Sequence, residues 1–189
     1  MNGLVLSGGH SNRMGQPKCL LDYHGKPQYQ HAAELLAPFC EQVFISCQAE
    51  QKGLFDGFPL VCDSVKFGEI GPMNGVLSAF EKEKTAWFVL GCDYPLLEKS
   101  DLEQLVQARN PQRVATVFAN PDTGKPEPLI GIYEAAAGLL LLEWWRQENQ
   151  SLRIFLERQK VNLVVPKNLE RLKSVDTPEG FREAKKFLT

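Results

Sequence analysis

The residues richest in chemistry lie in the first eighteen positions. Leu4, Val5 and Leu6 form a short apolar run, and Ser-Gly-Gly-His-Ser-Asn-Arg-Met-Gly-Gln-Pro-Lys follows at once over residues 7–18. Gly8 and Gly9 let the backbone approach phosphate oxygens closely and tolerate positive φ. Arg13 offers a planar fork of donors and Lys18 a compact positive charge. An apolar strand opening into such a loop suits a nucleoside triphosphate held at the strand's carboxyl end. A plain polar turn with two surface cations would explain fewer of these residue types. The loop is not a P-loop, because Gln16 and Pro17 follow Gly15 where Lys and Ser or Thr are required. Nor are its adjacent glycines the alternating set of the dinucleotide fingerprint.

Two acids extend the site. Asp93 closes the run Trp87-Phe-Val-Leu-Gly-Cys92, and Asp63 closes Leu60-Val-Cys62. In a doubly wound sheet ligands sit beyond the carboxyl ends of strands, so both aspartates are placed to meet one. Such an acid can hold Mg²⁺ against triphosphate oxygens, and Asp93, with Pro95 two residues on, is the stronger candidate metal ligand. Capping of a following turn is the competing use of either residue. Gly71-Pro-Met-Asn-Gly75 reads as a second glycine-bearing turn entering a helix, whose amides can approach a base, ribose or phosphate.

These residues need a scaffold, and the rest of the chain supplies one. Apolar runs of strand length fall at 4–6, 43–46, 60–62, 86–91, 114–118, 129–133 and 161–165. Most are apolar on successive residues, the pattern of strands covered on both faces. Helical patterns lie between them at 27–36, 72–83, 100–108, 134–147, 151–158 and 178–187. Ser100-Asp-Leu-Glu103 reads as a capping box, and Thr177 before Pro178 as a hydroxyl cap. The alternation predicts an α/β fold: three layers around a doubly wound, mainly parallel sheet. With 189 residues and no linker, repeat or low-complexity tract, a single domain over 1–189 is expected. Asn120 to Pro126 is the clearest turn-rich loop.

Composition narrows the partners. Twenty-one basic against twenty-three acidic residues leave a net charge of −2, which gives no broad electrostatic case for nucleic acid. Five cysteines without Cys-x-x-Cys spacing argue for a reducing compartment and against structural zinc. No basic segment leads into a long apolar stretch, and no segment is long enough to span a bilayer, so a cytoplasmic protein without membrane contact is expected. His10, His24 and His31 lack ligand spacing and read as loop, turn and helix residues. Trp144 and Trp145 read as core or interface.

The motifs together resemble the molybdenum cofactor guanylyltransferase family of Rossmann-like nucleotidyltransferases. Leu6-Ser-Gly-Gly9 is similar to the family's Leu-Ala-Gly-Gly, Arg13-Met-Gly15 to its Arg-Met-Gly, and Lys18 to its phosphate-binding lysine. Gly25-Lys-Pro27 with His31, Asp63-Ser64, Gly71-Pro72 with Gly75, and Cys92-Asp-Tyr-Pro95 resemble later family segments. Pro126-Glu-Pro-Leu-Ile-Gly-Ile-Tyr133, Ser151-Leu-Arg153 and Ser174-Val-Asp-Thr-Pro-Glu179 resemble its more distinctive C-terminal motifs. Pro17, Ser46 and Asp176 depart from the family, which has Asp, Asn and Asn there.

The resemblance implies transfer of GMP from GTP to the phosphate of molybdopterin or the molybdenum cofactor, with Mg²⁺ as cofactor and pyrophosphate released. By that resemblance Arg13, Lys18 and Asp93 are catalytic, and Asp93 holds the metal. Leu6, Ser7, Gly8, Gly9, Lys18, Ser46, Asp63, Gly71 and Asp93 bind nucleotide, in the N-terminal part of the domain. Glu127, Arg153 and Asp176 face the acceptor, in the C-terminal part. Cofactor-delivery or acceptor proteins are the implied macromolecular partners. Two alternatives stay open: a cytidylyltransferase or sugar-phosphate nucleotidyltransferase of the same fold, and a non-catalytic nucleotide-binding module.

Overall fold

The computed structural model of the chain describes residues 1–8 and 17–188. Its strands are β1 (Asn2–Leu6), β2 (Val43–Cys47), β3 (Leu60–Cys62), β4 (Trp87–Gly91), β5 (Ala115–Ala119), β6 (Pro126–Tyr133) and β7 (Asn162–Val164). Its α-helices are α1 (Gln28–Leu36), α2 (Pro72–Lys82), α3 (Lys99–Ala108), α4 (Ala135–Arg146), α5 (Leu152–Arg158) and α6 (Pro178–Leu188). The seven strands form one sheet in the order β3-β2-β1-β4-β6-β5-β7.

Burial on both faces explains the continuous apolar runs. In β1, Leu4 faces one layer and Val5 the other; in β4, Trp87 and Val89 face the first layer while Phe88 and Leu90 face the second. Tyr29, Ala33 and Leu36 of α1 and Leu102 and Leu105 of α3 close one face. Met73, Val76, Leu77 and Phe80 of α2, Leu141 of α4 and Phe155 of α5 close the other. The three-layer expectation therefore holds.

Two local readings change. The sheet is parallel except for β6, which runs antiparallel to both β4 and β5. β6 also begins at Pro126, three residues earlier than its apolar run. Pro126 and Pro128 fit there because the ladder with β5 slips between Val117 and Ala119, where a missing N–H costs nothing. At α3 the cap lies two residues upstream of the expected serine. Glu98 and Asp101 make the reciprocal box, and the Asp101 carboxylate accepts from the Glu98 amide at 2.9 Å. The expected cap at Thr177 is present, accepting from the Gly180 amide at 3.1 Å, and Ser151 caps α5, accepting from the Ile154 amide at 3.3 Å.

The chain's last segment returns to the first. Val175 and Ala184 pack on Leu21 and Tyr23, and Phe181 packs against Tyr23 with the rings tilted by 60° and their centroids 4.9 Å apart. This brings residues from both ends of the sequence to the rim of the sheet.

Candidate nucleotide and acceptor site

The parallel strands β1, β2, β3 and β4 end on one rim, and the loops that leave them carry the candidate residues. Ser7 continues β1, where its amide donates to the Ser46 carbonyl at 3.0 Å and its hydroxyl meets the Cys92 thiol at 3.0 Å. Leu6 accepts from the Cys92 amide at 3.2 Å, which ties the first loop to the Asp93 turn. Gly8 is exposed, and a Cβ there would lie 3.7 Å from Asp63 Oδ2, so the first loop and the end of β3 face each other. Gly9 and Arg13 lie outside the described residues.

Burial pushes the Asp63 carboxyl up to about 6 from its ordinary 3.8. Between these values the folded chain holds a proton that the unfolded chain has released, so stability falls as pH rises through that window and is level above it. Asp63→Asn should flatten that slope and stabilise the protein by about 2 kcal/mol at pH 7. Urea unfolding at pH 4 and pH 7 measures it; equal slopes in the two proteins would show that Asp63 ionises without cost.

Ser46 is placed differently from a ligand-facing residue. It is 2% exposed, and a Cβ on Gly75 of α2 would stand 2.3 Å from its hydroxyl. Its side chain thus fills the close approach of α2 to the sheet, an approach only glycine at 75 allows. Gly71 precedes α2 with φ 59°, a left-handed conformation that suits glycine. The intervening loop is held by Asn74, a residue the motif reading passed over. Its amide oxygen accepts from the Ser64 amide and the Ser78 hydroxyl, both at 2.9 Å. Its amide nitrogen donates to the Ser64 and Gly68 carbonyls at 3.0 and 2.8 Å. Trp145 supports the same loop, edge-on to Phe67 at 5.1 Å, while Trp144 packs toward Phe155.

The Asp93 turn is the centre of the site. Asp93 is half-buried just beyond β4, and its carbonyl accepts from the Val175 amide at 2.7 Å. Beside it Lys18 forms an ion pair with Asp176. Burial pushes the Asp93 carboxyl up to about 6; nearby Asp176 and Glu127 act the same way, opposed by Lys18 and by its own backbone amide. His24 Nε2 lies 2.9 Å from the Pro95 carbonyl and its ring stacks on His31 at 3.6 Å, so this histidine pair braces the turn. Burial, with His24 and Lys26, lowers His31 to about 4, leaving it neutral.

A cleft of about 400 Å³ opens on the β6 side. Glu127 and Arg153 both line it, with Pro72 and Met73 at the start of α2, Pro128 of β6 and Leu152 of α5. Asp176 is not among its lining residues; it stays with Lys18. Of the three candidate acceptor residues, the fold therefore joins two in one cleft and places the third at the Asp93 turn.

All five cysteines are free, and burial pushes Cys19 up to about 11 and Cys40 and Cys47 to about 12. Thiols so far from ionising are poor nucleophiles. Among the described residues there is no group of three or more His, Cys, Asp or Glu side chains arranged as a metal cage. A cation at this rim would therefore rest on one or two carboxylates and on a ligand's own oxygens. Among the described residues, no helix is long and apolar enough to cross a membrane.

A mainly parallel α/β sheet with small-residue loops, a lysine and an acid converging at the strand ends defines a nucleotidyltransferase of the Rossmann-like class. The chain belongs to the family of the MobA-like NTP transferase domain, whose model matches residues 3–163. It is 35% identical over 186 residues to a molybdenum cofactor biosynthesis bifunctional protein of Synechocystis, covering 95% of this chain and 52% of the relative. The chain thus spans about half the length of that relative. It is 27% identical to the molybdenum cofactor guanylyltransferase of Yersinia pseudotuberculosis, covering 83% of this chain and 80% of that one. The crystal structure of molybdopterin-guanine dinucleotide biosynthesis protein A from Archaeoglobus fulgidus has the same fold, with a TM-score of 0.79, 22% identity and coverage of 99% and 98%.

Proposed function

We propose that this chain, acting as a single domain in the cytoplasm, transfers GMP from GTP to the phosphate of molybdopterin or the molybdenum cofactor. An oxygen of the acceptor phosphate forms the new bond to the α-phosphorus, the bond to the bridging αβ oxygen breaks, and pyrophosphate leaves. The observation that carries this reading is the convergence of Asp93 and Lys18 at one rim, with the facing Gly8 and Asp63 loops on that rim and a ligand-sized cleft lined by Glu127 and Arg153. The names of the relatives support the same substrates.

Leu6, Ser7, Gly8 and Gly9 offer backbone to the nucleotide, and Lys18, with Arg13 of the same loop, offsets charge on the transferring and leaving phosphates. The acceptor phosphate is already an anion, so no side chain need act as nucleophile. Arg153 supplies a cation for that phosphate within the cleft. Mg²⁺ fits the donor set: it keeps several waters and takes one or two carboxylates plus phosphate oxygens, which matches a half-buried Asp93 without an all-protein cage. Bound there, it would supply charge neutralisation of the α- and β-phosphates. Delivery of the acceptor by another protein belongs to the same proposal.

Calorimetric titration of GTP, CTP, ATP and UTP, each with Mg²⁺, tests the base. Selective GTP binding is expected; selective CTP binding would move the enzyme to cytidylyl transfer, and no binding would remove the nucleotide reading. Geometry can be tested without deleting any functional group. A Cβ on Gly91 would stand 2.5 Å from Asp93 Oδ1. Gly91→Ala should therefore swing the carboxylate away and cost about 100-fold in turnover, the scale of a 1 Å misplacement. A variant with normal pyrophosphate release would show that the Asp93 rotamer does not matter.

A further inference from the structure

Glu127 is held in a way that an ordinary loop acid is not. Asn120 Nδ2 donates to its Oε2 at 3.1 Å. The Asn120 amide cannot turn over, because its Oδ1 already accepts from the amides of Asp122 and Thr123, both at 3.1 Å, and from the Thr123 hydroxyl at 3.0 Å. The buried Tyr94, which belongs to the turn carrying Asp93, lies close to Glu127 as well. A carboxylate has about four lone-pair sites, so the Asn120 donor leaves most of them for a ligand in the cleft. Apolar Met73, Pro128 and Leu152 line the cleft together with it. A fixed, two-pronged acceptor among apolar side chains is complementary to a planar heterocycle bearing two adjacent N–H donors.

We propose that Glu127 determines acceptor specificity by accepting from the ring N–H and the 2-amino group of an amino-pyrimidinone edge, the edge a pterin presents. This rests on the cleft being the acceptor site of the proposed reaction. Guanine carries the same edge, but Glu127 enters from β6, across β4 from the loops of β1, β2 and β3 that border the nucleotide region. The geometry therefore favours the pterin. Asn120 is a positioning residue in this scheme, since it touches Glu127 and fixes its plane.

The test compares pterin with lumazine, which has oxygen in place of the 2-amino group, by fluorescence titration of the full chain. Wild-type protein should prefer pterin by about 10–100-fold, the discrimination expected of a bidentate pair. Glu127→Gln should lose or reverse that preference, because one amide end can now donate to the lumazine oxygen. GTP and inosine triphosphate titrated into both proteins separate the two sources of the edge. If Glu127→Gln instead erases discrimination between those nucleotides, Glu127 reads guanine and the proposal is overturned. If wild-type protein binds pterin and lumazine equally, Glu127 reads neither edge, while the acceptor site itself stands. If it binds neither, the acceptor reading of the cleft fails together with the inference. The wild-type comparison needs no variant, so it holds even if Glu127→Gln folds poorly.

Discussion

Asp93→Asn is expected to abolish nucleotidyl transfer while raising the melting temperature. The carboxylate sits half-buried with Asp176 and Glu127 close by, and burial pushes its carboxyl up to about 6. At neutral pH the folded chain must therefore hold a charge that its surroundings disfavour, and a neutral isostere removes that cost. A gain of about 1–2 kcal/mol follows, or roughly 3–6 °C for a domain of this size. The same substitution removes the only carboxylate we assign to the metal and should lower turnover at least about 10³-fold, the scale of lost electrostatic stabilisation. Pyrophosphate release and differential scanning calorimetry on one preparation read both effects. Mg²⁺-dependent turnover near the wild-type rate would end the assignment of Asp93, and a lower melting temperature would show that its charge is well compensated.

Asn74→Ala should be the most damaging single truncation near the site. Asn74 is 4% exposed and its amide makes four hydrogen bonds. Alanine removes one of two donors from the Ser64 and Gly68 carbonyls, which keep the Phe67 and Ile70 amides at 3.1 Å, and the Ser64 amide keeps the Ser78 hydroxyl at 3.0 Å. Losing four hydrogen bonds at about 0.5–1 kcal/mol each costs about 2–4 kcal/mol. The loop between Asp63 and Gly71 would loosen with them, so GTP affinity should fall alongside stability. Urea unfolding at constant m measures the first and calorimetry the second. A loss below about 1 kcal/mol would mean that Trp145 and Phe67, rather than the amide, hold this loop.

Strand and helix positions were largely legible because the sheet is buried on both faces, so its strands read as unbroken apolar runs. The direction of β6 was not. An apolar run reads the same either way, and only the short link between β5 and β6 carries the signal: a parallel return needs a crossover of a dozen or more residues. Asp63 and Asp93 were legible as acids ending such runs. The Lys18–Asp176 pair was not, since its members are 158 positions apart and meet only when the C-terminal segment folds back. Asn74 was hidden inside a glycine motif, because its task is set by carbonyls of a loop whose path the sequence does not state. The cap of α3 shifted from Ser100 to Glu98 because Glu can accept from N3 amides as serine does, so the pattern offered two registers.

The reversed strand has a consequence for how this protein can change. Because β6 runs against its neighbours, its first residues, not its last, reach the reactive rim, and they are supplied by the exposed hairpin link at 120–125. Sequence drift in a surface hairpin is tolerated far more readily than drift in a buried strand end. A new acceptor could therefore be recruited by rewriting a handful of hairpin positions, with the nucleotide half of the sheet left as it is. Chimeras that exchange only this hairpin are the economical way to retarget the transferase.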